Sequence, residues 1–279
     1  MTSEAAAVPP GVLVEDVPPP SVAEAAAGYG ATVAAIAGTE LQRLRREPSV
    51  LLARAAQPLL WLLVFGAAMS RTRNLTTGDV PYQAFIVPGV LAQSVLFIAI
   101  FSGLSIIWER DLGITQRILV TPAARSAIIL GKALGAGLRA VVQVAAVLLV
   151  VAVVRIPVRW SLLGVAGTLG AAVLGAVLLS AISMVLASAV RSREQFMGIG
   201  QLVTLPLFFA SNALYTVSLM PAWLRAVSRS NPLTYVVEIM RRLLVHVGPD
   251  RVALDALVLI TATVVAVAAA SRLYPRRVM

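Results

Sequence analysis

Long apolar runs alternate along the chain with short polar stretches rich in Arg, Gly and Pro. A helix that crosses a hydrocarbon core about 30 Å thick needs about 20 mostly apolar residues, and six runs meet or approach that length. They lie at about Val50 to Ser70, Ala84 to Ile107, Ala133 to Val154, Ser161 to Val190, Met197 to Leu219 and Val252 to Ser271. The fourth is long for one span, and the fifth is the most interrupted. The pattern predicts an all-α polytopic membrane protein with six transmembrane helices, occupying residues 49–272.

Residues 1–30 read as a disordered tail: five prolines punctuate it, and no basic residue occurs before Arg43, so it lacks the positive start of a signal peptide. Over residues 31–48 the period changes. Val33, Ile36, Ala37, Leu41 and Leu44 share one helical face, with Glu40, Arg43, Arg45 and Arg46 off it, which predicts an amphipathic helix lying in the membrane interface. A plain juxtamembrane anchor is the alternative. Residues 273–279 read as a short cytoplasmic tail.

Two shorter amphipathic segments stand between spans. Trp108, Leu112, Thr115 and Leu119 fall at helical spacing beside Glu109, Arg110, Asp111 and Arg117, and Pro122 ends the run. The product is a short helix at the inner membrane edge, either a docking element for a soluble partner or an interfacial linker. Before the last span, Asn231 can cap a helix whose first residue is Pro232 and whose apolar face is Leu233, Val236, Val237, Met240 and Leu244. Glu238 can pair with Arg241 or Arg242. With Pro221 to Leu224, this predicts short re-entrant helices dipping into the outer leaflet.

Composition moves the chain out of the soluble class. Hydrophobic residues make up 59% and charged residues 13%, with a mean hydropathy of +0.88, against about 45–50% and about 25% in ordinary globular domains. There is no cysteine, which excludes disulfides, thiolate metal sites and cysteine nucleophiles. The net charge of +10 would point to nucleic acid in a soluble protein. In a bilayer protein it anchors loops against anionic lipid, so membrane lipid is the expected partner and nucleic acid is not. Lys132 is the only Lys among 23 basic residues, in keeping with a high-GC bacterial genome and a multi-pass protein of the cell membrane.

Orientation follows from basic residues near span ends. With the N-terminus inside, Arg43, Arg45, Arg46, Arg110, Arg117, Arg125, Lys132, Arg191, Arg193, Arg272, Arg276 and Arg277 are cytoplasmic, against Arg71, Arg73, Arg155 and Arg159 in the two short outer loops. This favours N-in and C-in, although Arg225, Arg229, Arg241, Arg242 and Arg251 then lie outside.

The predicted membrane core lacks charge. Arg54, Arg139 and Asp255 lie near span ends, where long side chains snorkel and short ones stay wet. A proton or sodium relay needs ionisable groups at mid-membrane, so a secondary transporter is disfavoured. The single histidine, His246, reads as interfacial, and no H-E-x-x-H zinc motif occurs. Ser94, Ser102 and Ser105 share a face of span two, and Gln201, Thr204, Ser211 and Asn212 fall near a stripe of span five. They either line a mildly polar substrate path or only join helices. Gly131 and Gly135, and the run Gly164, Gly167, Gly170, permit close helix packing. The nearest approach to a phosphate-binding loop, Ser126 to Lys132, lacks the first Gly and is followed by Ala133. Any ATP must therefore be used by a partner.

The motifs together resemble the ABC type 2 permeases, membrane subunits of ATP-binding-cassette exporters, and most resemble the daunorubicin-resistance type. The family pattern acidic-Arg-acidic-x-Gly, then Thr-Pro, matches Glu109, Arg110, Asp111, Gly113, Thr121 and Pro122. Asn-Pro-x-x-Tyr, then Glu and Arg, matches Asn231, Pro232, Tyr235, Glu238 and Arg241, and Pro-Leu-Leu-Trp matches Pro58 to Trp61. Ile114 departs from the Thr of many relatives. The similarity covers roughly residues 40–275. It implies a permease that exports a hydrophobic or amphipathic substrate such as a drug or lipid. The permease pairs with a second copy or paralogue and carries two cytoplasmic ABC ATPase subunits, which bind the ATP and Mg. Residues Glu109 to Arg117 would be the coupling helix, and the outer helices would close the exit. A polysaccharide or glycolipid exporter is a close variant. A membrane-embedded lipid-modifying enzyme is a different class, and it would need clustered acid, base or metal residues at one depth.

Overall fold

A computed structural model describes residues 22–46, 55–70, 80–113, 124–248 and 250–278, and among these every regular element is a helix. The order is α1 Val22–Arg46, α2 Ala55–Met69, α3 Tyr82–Asp111, α4 Arg125–Val153, α5 Leu162–Ala189, α6 Arg193–Ala210, α7 Ala222–Ser230, α8 Pro232–Val245 and α9 Val252–Val278. Four of these are long and apolar enough to cross a membrane: α3, α4, α5 and the Val252–Leu273 part of α9. They coincide with predicted spans two, three, four and six.

At spans one and five the helices are shorter. The first residues of span one lie outside the described set, and α2 carries a π-helical turn at Trp61–Phe65. Span five was expected as one run to Leu219, but α6 ends at Ala210. Pro206, inside α6, offers no N–H to the ladder. The buried segment Ser211–Leu214 then leaves helical geometry altogether.

Each helix packs according to its pattern. Apolar all round, α3 sits at the centre, with Phe85, Ile86, Leu91 and Ile107 fully buried among α4, α5 and α8. The last span, α9, presents Leu254, Leu257, Ile260, Val264 and Val265 outward. In lipid, such packing rests on close fit more than on removing apolar surface from water, so small residues decide where helices meet. A Cβ at Gly89 of α3 would lie 2.3 Å from the carbonyl oxygen of Ala213. Gly164 and Gly167 admit Leu243 of α8, while Gly170 faces open space.

The glycine pair of span three receives α1. Ile36 packs over Gly131 and Glu40 over Gly135, equal steps on both helices, so α1 runs alongside α4 in the same direction. It begins at Val22, so residues 22–30 of the expected tail are helical. At the other end α9 continues through the expected tail to Val278.

Candidate functional site

The polar side chains that the fold gathers lie at its two ends. At one end, the last turn of α3 meets the start of α4 and the junction of α5 with α6. Glu109 pairs with Lys132 of α4. Arg110 donates from Nη1 to the carbonyl of Val190 at 3.0 Å and from Nη2 to that of Arg191 at 2.8 Å. Asp111 accepts from Arg193 Nε at 2.8 Å, and the Arg193 guanidinium lies 4.9 Å from the half-exposed Trp108 ring. Ser192 caps α6 by accepting from the Gln195 N–H.

This corrects the expectation of one helix from Trp108 to Leu119. Trp108 to Asp111 are the final turn of α3. Leu112 is exposed, and Gly113 takes a left-handed φ of +69°, a conformation that ends a helix because only Gly adopts it without steric cost. Periodicity alone could not register that break. Thr115, Arg117, Thr121 and Pro122 lie outside the described residues.

At the opposite end, a non-helical stretch is held by donors from two helices, α8 and α3. Arg241 of α8, only 4% exposed, donates from Nη2 to the carbonyl of Asn212 at 2.6 Å and stacks over the Phe85 ring at 4.1 Å. The Tyr82 hydroxyl donates to the carbonyl of Leu214 at 3.0 Å. Asn231 caps α8 as expected, its Oδ1 accepting from the Leu233 N–H at 2.9 Å, and its Nδ2 also donates to the carbonyl of Leu207 at 2.6 Å. The Tyr235 hydroxyl donates to the carbonyl of Arg229 at 2.7 Å. Glu238 was expected to pair with Arg241 or Arg242. Instead it accepts from Asn212 Nδ2 at 2.9 Å, while Arg242 reaches Asp250 at 3.2 Å. The i,i+3 and i,i+4 spacings permitted the pairing, but the unwound segment offers closer partners.

Comparison with known proteins gives this arrangement its context. The family model described as ABC-2 type transporter matches residues 32–245. The chain belongs to the ABC-2 type transporter family. It is 32% identical over 211 residues to a putative transport permease, ycf38, of Cyanophora paradoxa, covering 73% of this chain and 71% of that one. It is 27% identical over 187 residues to the daunorubicin resistance ABC transporter permease protein DrrB1 of Streptomyces coeruleorubidus, covering 67% and 65%. A third relative, nodulation protein J of Rhizobium leguminosarum bv. trifolii, is 26% identical over 193 residues, covering 68% and 72%. The chain is therefore a multi-pass membrane subunit of an ABC transporter, a transport permease and not itself an enzyme.

In this ABC-2 permease most of the hydroxyls expected along a substrate path bond to carbonyls of their own helix. Ser94, Ser102 and Ser105 donate to the carbonyls of Val90, Ile98 and Ser102 on their own helix, at 3.1, 2.9 and 2.8 Å. Thr204 and Ser211 do the same to Gly200 and Phe208. Gln201 is exposed, and Asn212 belongs to the network around Arg241.

Sequence reasoning missed the charged residues that the fold buries. Arg139, expected to snorkel, donates from Nη1 to Glu40 Oε2 at 2.7 Å and from Nη2 to Ser102 Oγ at 3.0 Å. Asp255, expected to stay wet, is buried where α9 meets α8 and α5. A usable signal was present: Lys132 and Arg139 stand seven residues apart on α4, and Ser102 and Glu109 seven apart on α3, so each pair shares a helical face.

Proposed function

We propose that the chain is the permease subunit of an ATP-driven exporter that moves a hydrophobic or amphipathic substrate, drug-like or lipidic, outward across the cell membrane. A separate cytoplasmic ABC ATPase, two copies per complex, supplies the work and binds ATP and Mg. A second permease copy or paralogue completes the membrane part. In this reading α2 and α6 are the first and fifth of six spans, both termini are cytoplasmic, and α7 and α8 are the outer-leaflet helices.

One observation carries the proposal. The last turn of α3 is tied by Glu109, Arg110 and Asp111 to α4 and to the junction of α5 with α6. A displacement applied there moves three membrane helices together. The ends of α3 also fit α6 as a span: Asp111 meets Arg193 at the start of α6, and Tyr82 meets Leu214 just beyond its end. Drug-like cargo is supported by the daunorubicin-resistance relative.

The test is co-purification with the ATPase, followed by ATP turnover and transport in vesicles. Glu109→Ala and Gly113→Pro are expected to weaken ATPase assembly or to uncouple transport from hydrolysis. If both variants leave assembly and ATP-linked export at wild-type levels, the end of α3 is not the coupling site.

A further inference from the structure

Two carboxylates come together where α8 packs on α9, at the end that carries the unwound segment. Asp255, in the first turn of α9, is only 3% exposed. Glu238 of α8 is half-buried and lies near enough to Asp255 for the two charges to repel. Two cations face this pair. Arg241, three residues along α8, spends Nη2 on the carbonyls of Asn212 and Ala213 and its flat face on the Phe85 ring, and Arg251 is exposed to water. Among the described residues, no ion pair joins either cation to either carboxylate. Asn212 supplies a third acceptor. Its Nδ2 donates to Glu238 Oε1 at 2.9 Å. The Oδ1 of the same planar amide therefore lies beside Glu238, and it is buried without a hydrogen-bond partner.

We propose that Glu238, Asp255 and the Asn212 side-chain oxygen form a binding site for a primary ammonium group, carried by an amphipathic amine or by the headgroup of an aminophospholipid. The inference rests on the exporter reading, which puts this end in the outer leaflet. A buried charge is costly unless it is paired and hydrogen-bonded. Here two carboxylates share one side-chain donor among the described residues, Nδ2 of Asn212. A primary ammonium brings a positive charge with three N–H donors, which suits two carboxylates and an amide oxygen. A quaternary ammonium has no N–H and would leave these acceptors unsatisfied. The surroundings favour the same ligand. Val237, Ile239 and Leu259 are buried around the site, and Val252 and Ala256 pack against them, so the alkyl part of an amphiphile has apolar contacts. Exposed Arg251 repels a cation weakly, because water and salt screen its charge. Ionisable side chains at membrane depth are expensive, and they commonly mark the path of a ligand.

The probe is monodansylcadaverine, a fluorescent amphipathic primary amine, compared with its N-acetyl derivative, which keeps the body and loses the charge. The full-length chain in phosphatidylcholine nanodiscs is expected to bind the amine saturably and at least about tenfold more tightly than the acetyl form, a modest share of what a buried charge partner contributes. Glu238→Gln and Asp255→Asn are each expected to cut that preference at least about fivefold, while Asp250→Asn, an exposed acid at the same end, keeps it. Discs in which phosphatidylethanolamine replaces part of the phosphatidylcholine separate the two sources. Weaker apparent binding of the amine there assigns the site to a lipid headgroup, and unchanged binding assigns it to an amine cargo. Equal binding of the two probes by the wild-type chain would overturn the inference without any variant, as would an undiminished preference in both variants. An intact preference, with no ATP-driven movement of the amine or of an aminophospholipid in vesicles containing the ATPase, would instead strike at the exporter reading.

Discussion

The two ends of the bundle are held by different chemistry. At the end that gathers Glu109, Lys132, Glu40, Arg139, Asp111 and Arg193, opposite charges join the helices side chain to side chain, and Arg110 adds bonds to the carbonyls of Val190 and Arg191. At the other end the chain between α6 and α7 is unwound, and Arg241 and Tyr82 donate to main-chain carbonyls that have lost their helical partners. An ion pair between two side chains can break and re-form with another partner as helices shift. A carbonyl left without a donor in an apolar setting has no substitute. The contacts of one end can therefore exchange partners as helices shift, while those of the other hold until the whole segment moves.

The largest expected effect tests the resistant end. Gly89→Ala drives a Cβ into the backbone of Ala213, which cannot turn aside, and should cost about 3 kcal/mol or more in thermal unfolding of the detergent-solubilised protein. Gly135→Ala meets instead the Glu40 side chain at 2.6 Å, which can rotate, and should cost about 1 kcal/mol. Equal losses at the two glycines would erase the contrast between backbone and side-chain contacts. Arg241→Leu leaves the Asn212 carbonyl without its donor and should lower stability by about 2–3 kcal/mol, with faster amide exchange over residues 211–215 as the local signature.

The ion-pair end is expected to show coupling. Glu109→Gln alone should cost about 2 kcal/mol, and combining it with Lys132→Met should cost clearly less than the two single changes added together, because a charge stranded by one substitution is removed by the other. Additive losses would mean the pair contributes little. The smallest effect belongs to the surface: Asp250, whose side chain is 81% exposed, pairs with Arg242, and Asp250→Asn should change unfolding by less than about 0.5 kcal/mol.

Much of the fold was legible because lipid imposes a simple rule. Runs of about 20 apolar residues must cross as helices, and α3, α4, α5 and α9 follow it closely. The caps were legible too, since Asn231 and Pro232 act within a few residues of themselves. The end of α3 was not: helical spacing through Trp108, Leu112, Thr115 and Leu119 continues past Gly113, and only backbone geometry shows the break there. Nor was the partner of Arg139, because Glu40 lies 99 residues away along the chain and its pattern on α1 reads equally well as a wet face.

The amino-acid order by itself determined the helical class, the approximate spans, the absence of a nucleotide loop and the motifs of the family, all properties of residues close together along the chain. Only the tertiary structure decided that α1 lies along Gly131 and Gly135, that α6 stops at Ala210, and that Arg139 and Arg241 serve distant groups. The physical reason is that a buried charge or carbonyl takes whichever partner the packed helices bring near. That choice depends on close approach between segments far apart in sequence, which no local pattern records.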